Sequence, residues 1–221
     1  MKTKCRMPHL PGKRPCRQKG SALVIALIFL MLITMLAISA SEHSLLQERI
    51  AGSLRNAQQA RMSAETALRG AEYKIWSIAS QPGARLHCLE GSISRDDGCV
   101  IYRPLSAPYR ANGVVTTFRS AQGWISNTGV TYAGPTRGGY TGNSGQPTAV
   151  LARNPVYIIE DLGSEQPPGA NGLHESGNTG PNNSGVGQLD VHIYRITARA
   201  TGGNPNVVSV VQSTFDAPVN Y

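Results

Sequence analysis

Five histidines, four cysteines and two pairs of adjacent carboxylates are the residues of this 221-residue chain that site chemistry would draw on. The histidines (His9, His43, His87, His174 and His192) are scattered, with no paired spacing for a metal, and His87 beside Cys88 lacks a second close pair of ligands. Asp96-Asp97 and Glu160-Asp161 could contribute to a calcium site, but adjacent carboxylates in turns are ordinarily just solvated. The glycine-rich stretches hold no Gly-Lys-Ser/Thr phosphate cradle and do not sit between a strand and a helix as a dinucleotide fingerprint does. Residue chemistry alone therefore points to a protein that is not an enzyme and takes no cofactor and no metal. What it does must be sought in the elements that carry these residues.

The formal net charge is +8 and the pI about 9.6, values that ordinarily point to nucleic acid. Seven basic side chains (Lys2, Lys4, Arg6, Lys13, Arg14, Arg17 and Lys19) and no acidic ones lie in residues 1–20, however, and the rest of the chain has 14 basic against 13 acidic residues. No basic stripe survives outside the tail, so no nucleic-acid partner is expected. Directly after Gly20, residues 21–40 run for twenty positions without a charge, proline or glycine. As a helix this stretch is ~30 Å long, the thickness of the hydrocarbon core of a bilayer. Basic residues before it and Glu42 after it place the N-terminus in the cytoplasm and residues 41–221 across the membrane. A secretory signal peptide, with Ala37-Ile38-Ser39 as its cleavage site, is the competing reading, but its apolar region would be shorter, ~7–15 residues.

The tail ends Arg17-Gln18-Lys19-Gly20, with the apolar run at the next residue. This resembles the leader of type IV pilin precursors. The resemblance implies that a prepilin peptidase cuts on the cytoplasmic side between Gly20 and Ser21 and methylates the new amino group of Ser21. Apolar residues then recur at Leu46, Ile50, Leu54, Ala57, Ala60, Ala64, Ala67, Leu68, Ala71, Ile75 and Ile78, with charged or polar residues opposite, which is an amphipathic helix. No proline interrupts residues 21–81, so one helix from about Ser21 to Ala79 is expected, ~90 Å long. Gly52 interrupts it, at a cost of about 1 kcal/mol relative to alanine, either as a bend or as a small residue for close packing. The segments Gln47-Glu48-Arg49-Ile50-Ala51-Gly52-Ser53-Leu54-Arg55-Asn56 and Ala64-Glu65-Thr66-Ala67-Leu68-Arg69-Gly70-Ala71-Glu72 resemble PilX-type minor pilins. The similarity covers roughly residues 17–76 and, more loosely, the C-terminal end.

In major pilins the fifth residue after the cleavage site is a glutamate that pairs with the amino terminus of a neighbouring subunit. Here that position is Ile25, which cannot neutralise an incoming amino group. The resemblance implies a subunit at the tip of a filament, with no subunit ahead of it, although Ile25 would equally serve as one more apolar anchor residue.

From about Gln81 the periodicity changes, and Pro82-Gly83 ends the helix. Strands are expected at Val100–Arg103, Gly113–Arg119 and Pro155–Glu160, and an antiparallel hairpin at Leu189–Ala200 and Asn206–Phe215. The expected fold is therefore α+β and pilin-like. It comprises a leader (1–20), a transmembrane or filament-core helix (21–40), its amphipathic continuation (41–79), and a β-rich periplasmic domain (80–221) in which the apolar stripe covers one face of an antiparallel sheet while the other is wet. Fourteen of the 24 glycines fall in residues 121–188, and 169–188 reads as a long surface loop. Cys5 and Cys16 leave with the leader, so Cys88 and Cys99, on the oxidising side, are expected to form a disulfide.

The reading implied is a minor pilin in a tip or priming complex. Its partners are other minor pilins, the major pilin, prepilin peptidase and the inner-membrane assembly machinery. A tip pseudopilin of type II secretion and a membrane-anchored periplasmic enzyme or binding protein are the alternatives.

Overall fold

The computed structural model describes residues 21–135, 138–142, 150–165 and 190–219, and the chain divides into two compact units, residues 1–51 and 52–221. Helix α1, Ser21–Ala79, contributes to both. Over residues 22–40 of the first unit it is apolar on all sides, and its described side chains are exposed. The leader and residues 169–188 lie outside the described residues.

The second unit is a helix-covered mixed sheet of six strands. They are β1 (Cys88–Leu89), β2 (Cys99–Ile101), β3 (Val130–Thr131), β4 (Val156–Ser164), β5 (Asp190–Thr201) and β6 (Val208–Val219), in the order β1-β2-β4-β5-β6 with β3 paired to β4. The C-terminal hairpin is antiparallel, from Thr201↔Val208 at its turn to Asp190↔Val219 at its open end. On one face Ala60, Ala64, Ala67, Leu68, Ala71 and Ile75 of α1 are buried, most of them with Tyr157 and Ile159 of β4, Tyr194, Ile196 and Ala198 of β5, and Ala217 of β6. Alanine at four of these six positions lets the helix backbone approach the sheet closely, and Gly70 goes further, since a Cβ there would stand 2.2 Å from the Tyr132 ring. The apolar positions Ile50, Leu54 and Ala57 are exposed, so the stripe begins to cover the sheet only at Ala60.

Two expectations are corrected. Residues Gly113–Arg119 are not a strand; Val114–Ser120 form helix α2. Its β-branched residues favour a strand, but Val115 and Phe118, three apart, are the pair that must be buried, and they reach one side only as a helix. Gly113 caps it where a Cβ would meet the Pro108 carbonyl oxygen at 2.2 Å. The sheet is not purely antiparallel either, because β1 and β2 run parallel, as do β2 and β4. A parallel pair needs a crossover, and the one from β2 to β4 carries α2. The crossover puts α2 on the face expected to be wet, over a second core of Val100, Val156 and Ile158 with Tyr109, Trp124 and Ile125 at its margin.

The segment leaving α1 is tied back twice. Cys88 and Cys99 form a disulfide across the β1–β2 register, worth about 3 kcal/mol for a loop of this size in the chain-entropy model. Lys74 of α1 pairs with Asp97 at 2.8 Å and donates to the Asp96 carbonyl at 2.9 Å, while Asp97 also accepts from the His87 amide at 2.7 Å. Gly98, at φ 70°, makes the turn between Asp97 and Cys99. Burial alone would raise the Asp97 carboxyl, but the bonds from Lys74 and His87 outweigh it and hold the group below its ordinary range.

Two outcomes check this packing. Ile159→Ala should cost about 2–5 kcal/mol in urea unfolding followed by tryptophan fluorescence, whereas Leu54→Ala should change it by no more than about 0.5 kcal/mol; equal effects would show that the covered face is misplaced. Because the folded-state pKa of Asp97 is depressed, its stabilisation is present above about pH 4 and is lost as pH falls below that. Asp97→Asn should therefore be less stable than the parent at pH 7, and the difference should shrink between about pH 4 and pH 2.

Candidate functional site

Among the described residues no group of three or more His, Cys, Asp or Glu gathers as a metal would require. Three of the four carboxylates considered for calcium have partners within the fold. Asp97 is held by Lys74. Asp161 contacts the His192 ring nitrogen Nδ1 at 2.9 Å. Neighbouring strand residues point to opposite faces, and Glu160 accepts from Arg195 Nε at 2.8 Å and from Nη2 at 2.5 Å on the α2 side.

That side carries the most polar interior of the molecule. Glu160 is wholly buried, and its bidentate pairing with Arg195 supplies the partner a buried carboxylate needs. The Glu160 bonds push the Arg195 guanidinium above its ordinary range, against the opposing effect of burial. Arg195 lies 5.4 Å over the Tyr102 ring, and Tyr102 meets Tyr109 edge-on at 4.9 Å. Burial first, and the Glu160 charge second, keep the Tyr109 phenol protonated far above its usual range. Four residues along β5, Arg199 is also fully buried and donates to the carbonyls of Phe118, Ala121 and Gly123 at the C-terminal end of α2. Arg199 thus satisfies the carbonyls that α2 leaves open and fixes it on the sheet. These are structural contacts, with no nucleophile or exposed base among them. The sequence signal for them was two arginines four residues apart on one face of one strand, and a glutamate closing an apolar run.

The residues singled out for assembly lie on α1. The helix begins at Ser21, and Ile25 follows one turn later, exposed among Leu23, Val24, Leu27 and Ile28. Gly20 is outside the described residues. From Ala22 onward α1 is long and apolar enough to cross a membrane, and the described side chains of residues 22–40 are uncovered within their unit. Burying one Leu, Ile or Val side chain is worth about 1.5–3 kcal/mol, so a surface of ten such side chains, with Phe29, Met31 and Met35 among them, favours lipid or other apolar helices around it.

Two family models match the chain. One, described as type IV pilus assembly protein PilX C-term, matches residues 102–217, more than half of the chain, and the other, described as PilX N-terminal, matches residues 19–69. No curated protein and no solved structure gives a significant match. The N-terminal match contains the start of α1 and its apolar half, and the C-terminal match contains α2, the Glu160–Arg195 pair and the hairpin. A long apolar helix leading into a helix-covered mixed sheet, matched at both ends by the two parts of one family, makes this chain a member of the type IV pilus assembly PilX family.

Proposed function

We propose that the chain is a minor pilin cleaved between Gly20 and Ser21 and methylated on Ser21 by prepilin peptidase. Before assembly it is held in the inner membrane by residues 21–40, with the leader cytoplasmic and residues 41–221 periplasmic. It then enters a type IV pilus in a tip or priming complex with other minor pilins, above the major pilin. Residues 41–79 continue the anchor into the domain formed by residues 80–221. The observation that carries this reading is Ile25, set one turn into an apolar helix that starts at the residue after Gly20, in a member of the PilX family.

The physical argument concerns the charge that cleavage creates. A free amino terminus drawn into an apolar filament core is costly unless a carboxylate meets it. A subunit with isoleucine at this position has nothing to offer an incoming amino terminus, while its own amino terminus can still be met by a carboxylate on a neighbour. Such a subunit joins a filament from one side only, which suits a position with nothing ahead of it. No catalytic role is part of this reading; the subunit acts through what it packs against.

Mass spectrometry of the purified mature protein should find N-methylated Ser21 as its first residue; an intact Met1, or a start near Ala40, would sink the proposal. In cells carrying Ile25→Glu, immunogold labelling should move from the pilus end to positions along the shaft, and unchanged placement at the end would show that the missing carboxylate does not position the subunit. Deletion of the chain should greatly reduce surface pili, counted by electron microscopy or by shearing, and normal piliation would count against an assembly role.

A further inference from the structure

The sheet ends at β6, whose residues Val208–Val219 pair with β5 on one side and with no described strand on the other. A free edge of this kind is a template for another strand, and proteins commonly blunt it with charges, proline or a bulge. Residues 208–215, Val-Ser-Val-Val-Gln-Ser-Thr-Phe, contain no charge, proline or glycine, and Asp216 and Pro218 appear only beyond them. Along most of its length the edge is left open by the described residues.

Beside it, α2 and β6 enclose a cleft of about 540 Å³ lined by Thr116, Arg119, Ser120, Val210 and Gln212. No carboxylate is among these residues. Arg119 makes no hydrogen bond or ion pair with any described residue, and its Nε is buried without an acceptor. Arg199, on the same side of the sheet, is buried against carbonyls rather than a carboxylate. This corner keeps positive charge that no described acidic side chain pairs.

We propose that the free edge of β6 accepts an extended strand from another protein, and that an acidic side chain of that strand enters the cleft and pairs with Arg119. An added strand lies ~4.7–4.9 Å beyond β6 and turns every second side chain toward the face on which Val210 and Gln212 stand. Backbone bonds along 208–215 supply affinity, and the acid opposite residues 210–212 supplies register. Asp216 stands on the same face four residues further on, ~14 Å along the strand, and repels an acid placed opposite it, so a strand slipped in that direction is disfavoured. The partner is thus identified by its chemistry, an extended segment with an acidic side chain, whatever the position of the subunit in the pilus.

The test uses the full mature chain in detergent micelles and two eight-residue probes, one alternating threonine with glutamate and one alternating threonine with lysine, both capped. The glutamate peptide should bind at least tenfold more tightly at low salt. Arg119→Gln should abolish the preference without lowering the melting temperature, because Arg119 has no internal bond to lose. Alternate residues of an edge strand turn their N–H toward the neighbouring strand or away from it. Of Ser213→Pro and Thr214→Pro, one should therefore destabilise the hairpin, and the other should keep the melting temperature and lose the peptide. In piliated cells a photocrosslinker at Thr214 should capture a second protein. Equal binding of the two probes, no binding of either, a preference retained in Arg119→Gln, or a crosslink only within the same chain overturns the proposal.

Discussion

Everything in the globular unit is arranged around the contact between one stripe of α1 and the middle of the sheet. Ala60, Ala64, Ala67, Leu68, Ala71 and Ile75 form a narrow, nearly smooth surface, and the larger side chains that fill the interface, Tyr157, Ile159, Tyr194 and Ile196, come from β4 and β5. The division has a purpose in packing terms. Small side chains at the seam bring the helix backbone close to strands whose branched and aromatic residues fill the space between them. The turn of the hairpin obeys the same constraint at its end: a Cβ at Gly202 would lie 2.5 Å from the Asn56 carbonyl oxygen, and the Gly203 amide donates to the Gln59 side chain at 3.1 Å.

Once α1 occupies one face, the other must be closed differently, and the chain does so with polar groups. Glu160–Arg195 and Arg199 sit where a simpler protein would place aliphatic residues. Ion pairs in such positions seldom add net stability over an apolar replacement, but each is strongly directional, and losing one partner leaves a buried charge. Arg199 reaches three carbonyls at the end of a seven-residue helix that has little stability of its own. The position of α2, and with it the cleft at β6, depends on that one side chain. This favours specificity over strength: the covering segment has one place to sit.

The helix, its end at Pro82-Gly83, the strand β4 and the C-terminal hairpin were legible in the sequence, because each rests on local periodicity or on a breaker pair. The parallel pairings were not, since two- and three-residue strands such as β1 and β2 carry no pattern of their own and exist through their neighbours. Helix α2 was misread for a related reason. Val114-Val115-Thr116-Thr117-Phe118 has strand propensity, and what makes it helical is Arg199, eighty residues away in the chain, together with the need to bury Val115 and Phe118 on one side. Lys74 gave a quieter signal: it is the sole lysine outside residues 1–20, on a helix whose other cations are arginines, and it reaches the disulfide loop. Ser21 and Ile25, the residues proposed to act in assembly, were picked out by position alone, which needs no long-range contact.

Specific and non-specific attachment are separated along this chain. The apolar half of α1 is solvated by any sufficiently apolar surroundings, lipid and other helices alike, and its side chains from Leu23 to Ile38 distinguish poorly between them. Selectivity has to come from charge, where a wrong partner costs energy as well as failing to gain it. Within the globular unit the charged side chains of the interior are largely spent on internal partners: Lys74 on Asp97, Arg195 on Glu160, and Arg199 on the carbonyls at the end of α2. Two places break that economy in opposite senses. At Ile25 a carboxylate is missing that an incoming amino terminus would require, and at Arg119 a cation is present that no described carboxylate meets. The first withholds a contact and the second offers one. If Ile25 and Arg119 act as proposed, growth is limited through the apolar helix and a neighbour is selected through the domain, so the two choices fall to separate parts of one chain.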